Sequence, residues 1–293
     1  MEERVFFDSD GLKLAGVLHV PASRKAAEKL PAFMVLHGFG GTKNGGVPLA
    51  VTNMLEKFGY AVLRFDMRGC GDSEGPRARV ICLEQVADTM NALTWLATRP
   101  EIDGQRIAVL GHSFGAAVAV YAAGVDPRIA ACISSGGWGD GEKKFRKQHE
   151  SPEAWKKFSD MVAAGRKHRE QTGQSMMVPR FDIVPIAPAL RQNIAQGSQF
   201  EFPFDVVESM LAFRANDVVG RIAPRPLLLV HPSVDTVTPT EQSIDLFAHA
   251  GQPTDLHLVA NTDHFILAEN NRLANQILRN WLEQHFPVRR AVE

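Results

Sequence analysis

The chain has 293 residues, of which 45% are hydrophobic, and its formal net charge is −1 at pH 7. That composition can bury a sizeable core, and the near-neutral charge gives no indication of nucleic acid or an anionic membrane surface as a partner. The three cysteines are odd in number and lack metal-ligand spacing, which argues against a disulfide framework or a zinc site.

The amino-terminal sequence MEERVFFDSDG is charged and has no apolar signal core, so we expect a cytoplasmic protein. Residues 107–125 are apolar over the length of a membrane span. His112 and Ser113 interrupt this stretch, however, and its many alanines have small side chains. We therefore expect it to be a buried strand and a buried helix, with no membrane as partner.

The first third of the chain predicts strands alternating with helices. Residues 5–20 alternate in polarity around Asp8-Ser9-Asp10-Gly11, which predicts an opening β-hairpin. Residues 32–36 form an apolar strand that ends in His37-Gly38-Phe39-Gly40-Gly41. The elements expected next are a helix over 48–58, a strand over 61–65 and an amphipathic helix over 83–97.

The same alternation resumes in two later parts of the chain. These elements are strands over 107–110, 129–133, 226–230 and 256–259, with helices over 116–123, 240–250 and 269–285. Strands that alternate with helices predict a mainly parallel sheet covered on both faces.

Residues 137–224 break this pattern, since they contain no clear strand. Residues 142–170 carry Lys, Arg, Trp and Phe at helical spacing, and residues 176–204 hold four prolines. Because this segment leaves the carboxyl end of a strand, where ligands bind in such sheets, we expect it to be a cap over the site. The alternative is an excursion on the far side of the sheet. The expected domains are thus a core of 1–136 and 225–293 and a cap of 137–224.

Ser113 is the candidate nucleophile. It lies in Gly111-His112-Ser113-Phe114-Gly115, directly after an apolar strand and before a helix of Ala and Val. This is a G-x-S-x-G nucleophile elbow in its required context of strand, sharp turn and helix.

A second G-x-S-x-G centres on Ser73, in Gly71-Asp72-Ser73-Glu74-Gly75. No strand leads directly into it, and Pro76 follows it instead of a helix of small residues. We expect Ser73 to have no catalytic role.

A serine nucleophile needs a base and an acid that orients the base, and after an elbow the expected order is Ser, acid, His. His264 follows the last predicted strand in a loop at the carboxyl edge, so it is the candidate base. Asp235 follows the strand over 226–230 and is the candidate acid. Asp263 is the weaker choice, because neighbouring side chains in one loop rarely face each other.

An oxyanion hole needs two N–H donors where negative charge develops. The candidates are the backbone N–H groups of Phe114, just after the nucleophile, and of Phe39, in the glycine-rich loop after the strand over 32–36. That loop continues as Gly40-Gly41-Thr42-Lys43, but no Gly precedes the Lys as a phosphate-binding P-loop requires.

The motifs HGFGG, FDMRGCGDSEG and GHSFG, together with the Asp after PRPLLLVHPSVD and the His of TDHF, resemble the α/β-hydrolase superfamily. The resemblance covers nearly the whole chain outside the expected cap. It implies an α/β-hydrolase fold with a mostly parallel sheet of about eight strands, flanked by helices, and an inserted, mainly helical cap. Within the superfamily the chain is similar to bacterial esterases of the dienelactone hydrolase and acylaminoacyl-peptidase-like branch, although dienelactone hydrolases carry Cys where this chain has Ser113.

The predicted function is a carboxylesterase-type serine hydrolase that acts on a small-molecule ester with a small or medium acyl or aromatic group. An amidase, a peptidase or an acyltransferase could use the same triad, and a non-catalytic binding protein of the same fold is a third hypothesis. No cofactor and no metal are expected, and the sequence leaves a homodimer open.

Aromatic residues of the expected cap could line an acyl pocket, and we name Trp138, Phe202 and Phe204 as candidates, although aromatics at helical spacing are more often core. A basic run is expected to be a solvated helix face, or else to attract an anionic substrate. This run consists of Lys143, Lys144, Arg146 and Lys147.

Overall fold

A computed structural model of the chain describes residues 1–25, 27–268 and 271–288. Its main sheet has eight strands. In chain order they are β1 (Glu2–Ser9), β2 (Leu12–His19), β3 (Leu30–Leu36), β4 (Ala61–Phe65), β5 (Ile102–His112), β6 (Ile129–Ser135), β9 (Leu227–Pro232) and β10 (Thr254–Val259), with β7 (Met177–Pro179) and β8 (Glu201–Pro203) elsewhere.

The spatial order of the sheet is β1-β2-β4-β3-β5-β6-β9-β10. The β1–β2 and β2–β4 pairs are antiparallel, and every later pair is parallel. The carboxyl ends of β3, β5, β6 and β9 therefore meet at one edge of the sheet, which is where ligands bind in sheets of this kind.

Helices cover both faces of the sheet. They are α1 (Gly46–Lys57), α2 (Cys82–Ala97), α3 (Phe114–Val125), α9 (Glu241–His249) and α10 (Arg272–His285). One apolar cluster joins the sheet to α2 and α3, and a second joins it to α1 and α10. The predicted mostly parallel sheet with helices on both faces is confirmed. The helix expected over 269–285 begins at Arg272, and Glu269 and Asn270 lie outside the described residues.

The segment between β6 and β9, residues 137–224, is called the insertion below. Its helices are α4 (Gly141–Gln148), α5 (Pro152–Thr172), α6 (Arg180–Ile183), α7 (Phe204–Ala212) and α8 (Asn216–Val219). The expectation that it contains no strand is wrong, because β7 and β8 pair antiparallel. Each has only three residues and ends in a proline, so the sequence shows no run long enough to indicate a strand.

Aromatic rings hold the insertion together. The rings of Phe145 and Phe158 stack with centroids 4.9 Å apart, which joins α4 to α5. Farther along α5, a Cβ at Gly165 would lie 2.3 Å from the ring of Phe204, so only glycine lets the helix approach that ring. These rings belong to the same apolar cluster as α2 and α3, so the insertion packs on the core.

The basic run on α4 is not uniformly solvated. Lys143 and Lys147 are exposed, but the side chain of Lys144 is buried and its ammonium has no hydrogen-bond acceptor among the described residues. It lies 4.1 Å from the centre of the Phe145 ring and 5.3 Å from that of Trp138. Burial lowers the pKa of Lys144 to about 7. The expectation of a solvated helix face is wrong for this residue, because α7 packs against α4.

The three thiols, those of Cys70, Cys82 and Cys132, are free and buried. Burial raises the pKa of each to about 12. Within the described part of the chain, no helix is both long and apolar enough to cross a membrane.

Candidate active site

The nucleophile elbow forms at the junction of β5 and α3. Ser113 has φ 57° and ψ −120°, a conformation that costs energy in a residue with a side chain. A Cβ at Gly111 would lie 2.0 Å from the carbonyl oxygen of Gly115, and a Cβ at Gly115 would lie 2.5 Å from that of His37. Glycine is therefore required on both sides of the serine for strand, turn and helix to pack this closely.

The structure brings the three predicted triad residues together. The Nε2 atom of His264 lies 2.8 Å from Ser113 Oγ. On the other side of the ring, His264 Nδ1 lies 2.8 Å from Asp235 Oδ2 and 3.1 Å from Oδ1. If the proton is on Nδ1, the ring donates to the carboxylate and Nε2 can accept the serine proton, which is what a general base requires.

Asp235 is held as an acceptor by several groups at once. Its Oδ1 accepts the backbone N–H groups of Val237 and Thr238, each at 2.8 Å. Burial raises the pKa of this carboxyl, but the charge of His264 and hydrogen bonds from His231 and His264 outweigh it and hold the pKa well below its usual range. Asp235 is therefore a carboxylate at neutral pH.

His231 is a site residue whose role the sequence did not indicate. It lies in β9 and is fully buried, with Nε2 3.2 Å from Asp235 Oδ2 and 3.0 Å from the carbonyl oxygen of Thr238. Its Nδ1 lies 2.6 Å from Ser243 Oγ. Because these contacts fix the imidazole, His231 supports Asp235 as a second imidazole at the same carboxylate oxygen that His264 approaches.

Asp263 has a different role from Asp235. Its oxygens accept the backbone N–H and the hydroxyl of Thr236, at 2.9 and 2.8 Å, and the backbone N–H of His264 at 2.7 Å. It thus ties together the two loops that carry Asp235 and His264, and none of these three hydrogen bonds goes to the imidazole.

The two predicted oxyanion donors lie beside the serine. Phe114 is the first residue of α3, so its N–H has no acceptor within the helix. Within the described residues, neither this N–H nor that of Phe39 donates to another backbone group. The loop carrying Phe39 is held by a hydrogen bond from Gly41 N–H to Gly38 C=O. Phe39 and Phe114 are also in contact, with ring centroids 5.8 Å apart.

A cavity of about 60 Å³ opens on Ser113 and His264. The insertion supplies part of its wall, including the apolar side chains Val184, Ile186 and Ile194. A larger groove of about 830 Å³ lies between α1 and α10, but it contains none of the triad residues. The smaller cavity is the candidate site because the hydrogen-bonded triad opens into it.

None of the three predicted substrate-binding residues lines this cavity. Trp138 is buried against Phe213, with ring centroids 5.3 Å apart. Phe204 is buried against α5 at Gly165. Phe202 stacks on Phe39 with centroids 4.1 Å apart, so it packs against the loop that carries this residue. Each of the three rings packs against an apolar partner and does not line the cavity.

Two polar residues of the cavity wall were not predicted. His112 is buried, and neither of its ring nitrogens has a hydrogen-bond partner among the described residues. Burial lowers the pKa of His112 to about 3, so the ring is neutral beside His264, with centroids 4.9 Å apart. Arg180 reaches the cavity from α6 and donates to the carbonyl oxygen of Phe39 at 2.7 Å. Nothing in the local sequence distinguishes Arg180 from a surface arginine.

The second G-x-S-x-G motif serves the fold. Ser73 Oγ donates to the carbonyl oxygen of Asp66 at 2.6 Å and accepts the backbone N–H of Ala15 at 2.8 Å. Both hydrogen bonds of this hydroxyl thus hold the loop after β4 against β2. No group of three or more His, Cys, Asp or Glu able to hold a metal ion occurs in the part of the chain that is described.

Curated relatives match nearly the full chain. Thiohydrolase aneE of Aspergillus aculeatus is 28% identical over 279 residues, which span 88% of this chain and 85% of that protein. Polyketide transferase grgF of a Penicillium species is 26% identical over 295 residues, or 96% of this chain and 95% of that protein. Acyltransferase drtE of Aspergillus calidoustus is 26% identical over 307 residues, or 99% and 96%.

Solved structures share the fold. The α/β hydrolase GrgF from Penicillium sp. sh18 aligns with a TM-score of 0.80 at 24% identity, over 97% of this chain and 99% of that chain. Est1E from Butyrivibrio proteoclasticus, with ferulic acid bound, aligns with a TM-score of 0.68 at 20% identity, over 96% and 98%. A family model described as serine aminopeptidase, S33, matches residues 27–271. This chain has the α/β-hydrolase fold and belongs to the serine aminopeptidase S33 family.

Proposed function

We propose that this protein is a serine hydrolase that cleaves carboxylic esters of small or medium acyl groups through an acyl-enzyme on Ser113. The observation that carries the proposal is the continuous hydrogen-bonded chain from Asp235 through His264 to Ser113. The backbone N–H groups of Phe39 and Phe114, which have no backbone acceptor among the described residues, lie beside it. Together these groups supply the parts that acyl transfer needs.

In the proposed mechanism Ser113 Oγ attacks the acyl carbon while His264 Nε2 takes its proton. The N–H groups of Phe39 and Phe114 bind the oxyanion, and Asp235 supports the positive imidazolium. His264 then gives the proton to the leaving oxygen, which departs as an alcohol. A water molecule, activated by the same imidazole, releases the acid and restores the serine.

A second candidate is acyl transfer from a thioester. It is favoured by the names of the relatives, which are a thiohydrolase, a polyketide transferase and an acyltransferase. The residues and the acyl-enzyme would be the same. Only the leaving group, which would be a thiol, and the acceptor, which would be an alcohol or amine in place of water, would differ.

The same proposal assigns the insertion, residues 137–224, the role of a cap, with 1–136 and 225–293 as the hydrolase core. Val184, Ile186 and Ile194 of the insertion line the cavity at Ser113 and exclude water from it. A water-poor site strengthens the hydrogen bonds that stabilise an oxyanion, which is the physical use of such a cover.

The proposal is tested first with a fluorophosphonate probe, with the modified residue identified by mass spectrometry. Labelling of Ser113, absent in Ser113→Ala, is expected, and its absence in the native protein would exclude an acyl-enzyme. Turnover is then compared for 4-nitrophenyl butyrate, the butyryl thioester of N-acetylcysteamine and butyryl 4-nitroanilide. An added primary alcohol distinguishes transfer from hydrolysis, because a transferase converts part of the butyryl group to the new ester.

A further inference from the structure

The guanidinium of Arg180 is buried in the wall of the cavity without a countercharge. The residue is 94% buried, since only 6% of its surface is exposed. Within the described residues it forms no ion pair with a carboxylate, and the one titratable neighbour that acts on it is the thiol of Cys70. Burial lowers its pKa to about 10, so it still carries its charge at neutral pH.

Hydrogen bonds within the protein use only part of this group. One terminal nitrogen donates to the carbonyl oxygen of Gln199 at 2.9 Å, and the other donates to that of Phe39 at 2.7 Å. The Nε–H has no acceptor in the described part of the chain. The Phe39 ring lies 5.3 Å from the guanidinium carbon and offsets some of the cost of burial. A neutral donor could make both carbonyl contacts, so these contacts do not account for a buried charge, which destabilises the folded state when it is unpaired.

A second unpaired polar group lines the same cavity. The hydroxyl of Ser198 is buried and has no hydrogen-bond partner among the described residues. The backbone on both sides of it is fixed, because Ser198 N–H donates to Ala195 and Gln199 N–H donates to Gly40, at 3.1 and 2.9 Å. A buried donor left unpaired in a rigid wall costs free energy, and a ligand that accepts its hydrogen bond recovers that cost.

We propose that Arg180 and Ser198 form an anion subsite, and that the substrate carries an ionised carboxylate close to the carbonyl that Ser113 attacks. The subsite is next to the oxyanion hole, because Arg180 binds the carbonyl of the same residue, Phe39, whose N–H is an oxyanion donor. This inference rests on the proposed function of Ser113. The carboxylate can be on the acyl group or on the leaving group, and both positions are tested.

The test compares matched pairs of esters that differ in charge. Mono-4-nitrophenyl glutarate is paired with 4-nitrophenyl pentanoate, which places the charge on the acyl group. 4-Butyryloxybenzoate is paired with its methyl ester, which places the charge on the leaving group. We expect native protein to favour the anionic member of one pair by at least tenfold in kcat/KM.

The Arg180→Met variant should lower that preference at least tenfold, Arg180→Lys should keep part of it, and Ser198→Ala should lower it less. Arg166→Met is the matched control, because Arg166 is an exposed arginine of the insertion that pairs with Glu208. It should leave the preference unchanged. Circular dichroism checks that each variant is folded. If Arg180→Met is not folded, Arg180→Lys takes its place in the comparison.

A native preference near one for both pairs would overturn the subsite. So would an Arg180→Met variant that slows both members of a pair equally, because Arg180 would then only position Phe39. Calorimetric titration of Ser113→Ala with glutarate provides a readout that needs no turnover. If no ester is hydrolysed and Ser113 is not labelled, the proposed function fails. Glutarate binding that is lost in the Ser113→Ala, Arg180→Met double variant would still support the subsite, and no binding would overturn it.

Discussion

Asp235 of the predicted triad is in contact with a second imidazole, that of His231, whose Nε2 lies 3.2 Å from the carboxylate. His264 approaches the same carboxylate at 2.8 Å. Two rings and two backbone N–H groups thus fix one buried carboxylate. An acid whose position is set from several directions can in turn set the orientation of the base.

Asp235→Asn should lower kcat by about 10⁴-fold, because an amide stabilises neither the required tautomer of His264 nor its positive charge. His231→Gln should lower kcat by less than this and leave KM nearly unchanged, since His231 acts through Asp235. Steady-state kinetics on one ester checks both variants. A His231→Gln variant with native kcat would show that the remaining contacts of Asp235 are sufficient.

Ser113→Ala should fold normally and lose hydrolysis by several orders of magnitude, as loss of a triad member does. Ser73→Ala is the matched control within the second G-x-S-x-G motif. It should keep activity within a few-fold, while losing some thermal stability because two buried hydrogen bonds of its hydroxyl disappear. A Ser73→Ala variant that is fully folded but has no hydrolytic activity would contradict the assignment of the nucleophile.

Ile194→Ala should change acyl-chain selectivity, because it widens the apolar part of the wall of the cavity that contains Ser113. We expect kcat/KM for hexanoyl relative to acetyl esters to rise by roughly 10- to 200-fold, the scale for one or a few methylenes in an apolar pocket. Phe200→Ala is the control, since this residue of the insertion is 53% exposed. Equal changes for every chain length in Ile194→Ala would contradict a role in selectivity.

Lys144→Met should stabilise the protein. The folded state holds the amine at a pKa of about 7, below its value in the unfolded chain of about 10.4, so between these two pH values only the unfolded chain binds the proton. Native stability therefore rises with pH through this window. The gain from Met should be largest, roughly 2–5 kcal/mol, at and below pH 7, and should fade as the pH approaches 10.

Urea unfolding at pH 6, 7, 8 and 9 measures this gain directly. Lys147→Met is the control, because Lys147 is half exposed on the same helix and its ion pairs among the described residues are with exposed carboxylates. Its effect should be within about 0.5 kcal/mol at each pH. A gain from Lys144→Met that does not vary with pH would mean that the amine is charged to the same extent in both states.

The sequence predicted the core of the fold and the triad for one physical reason. The strand-forming runs lead directly into distinctive motif residues, such as the glycines around Ser113. The parallel arrangement then brings the ends of these strands to one edge of the sheet. Local pattern and topology therefore give the same answer for Ser113, Asp235 and His264. The wall of the cavity could not be predicted in this way, because it depends on which side of each insertion helix faces the core.

Trp138, Phe202 and Phe204 show that limit. Each has the composition of a pocket residue, and each is buried against another ring or a glycine instead. Arg180 and Lys144 show the reverse, since both belong to a residue type that is almost never buried. Burial of such side chains results from long-range packing of the insertion. The local sequence pattern does not indicate that packing.

The three buried cysteines give the protein a built-in chemical reporter. A thiol with a pKa near 12 and no access to solvent does not react with an alkylating reagent at neutral pH, so modification requires the surrounding structure to open. The thiols lie in the loop after β4, at the start of α2 and in the middle of β6. Mass spectrometry of the three labelled peptides over time would therefore measure the opening rates of three separate regions in the unmodified chain. Iodoacetamide should meanwhile leave catalysis intact until the first of those regions opens.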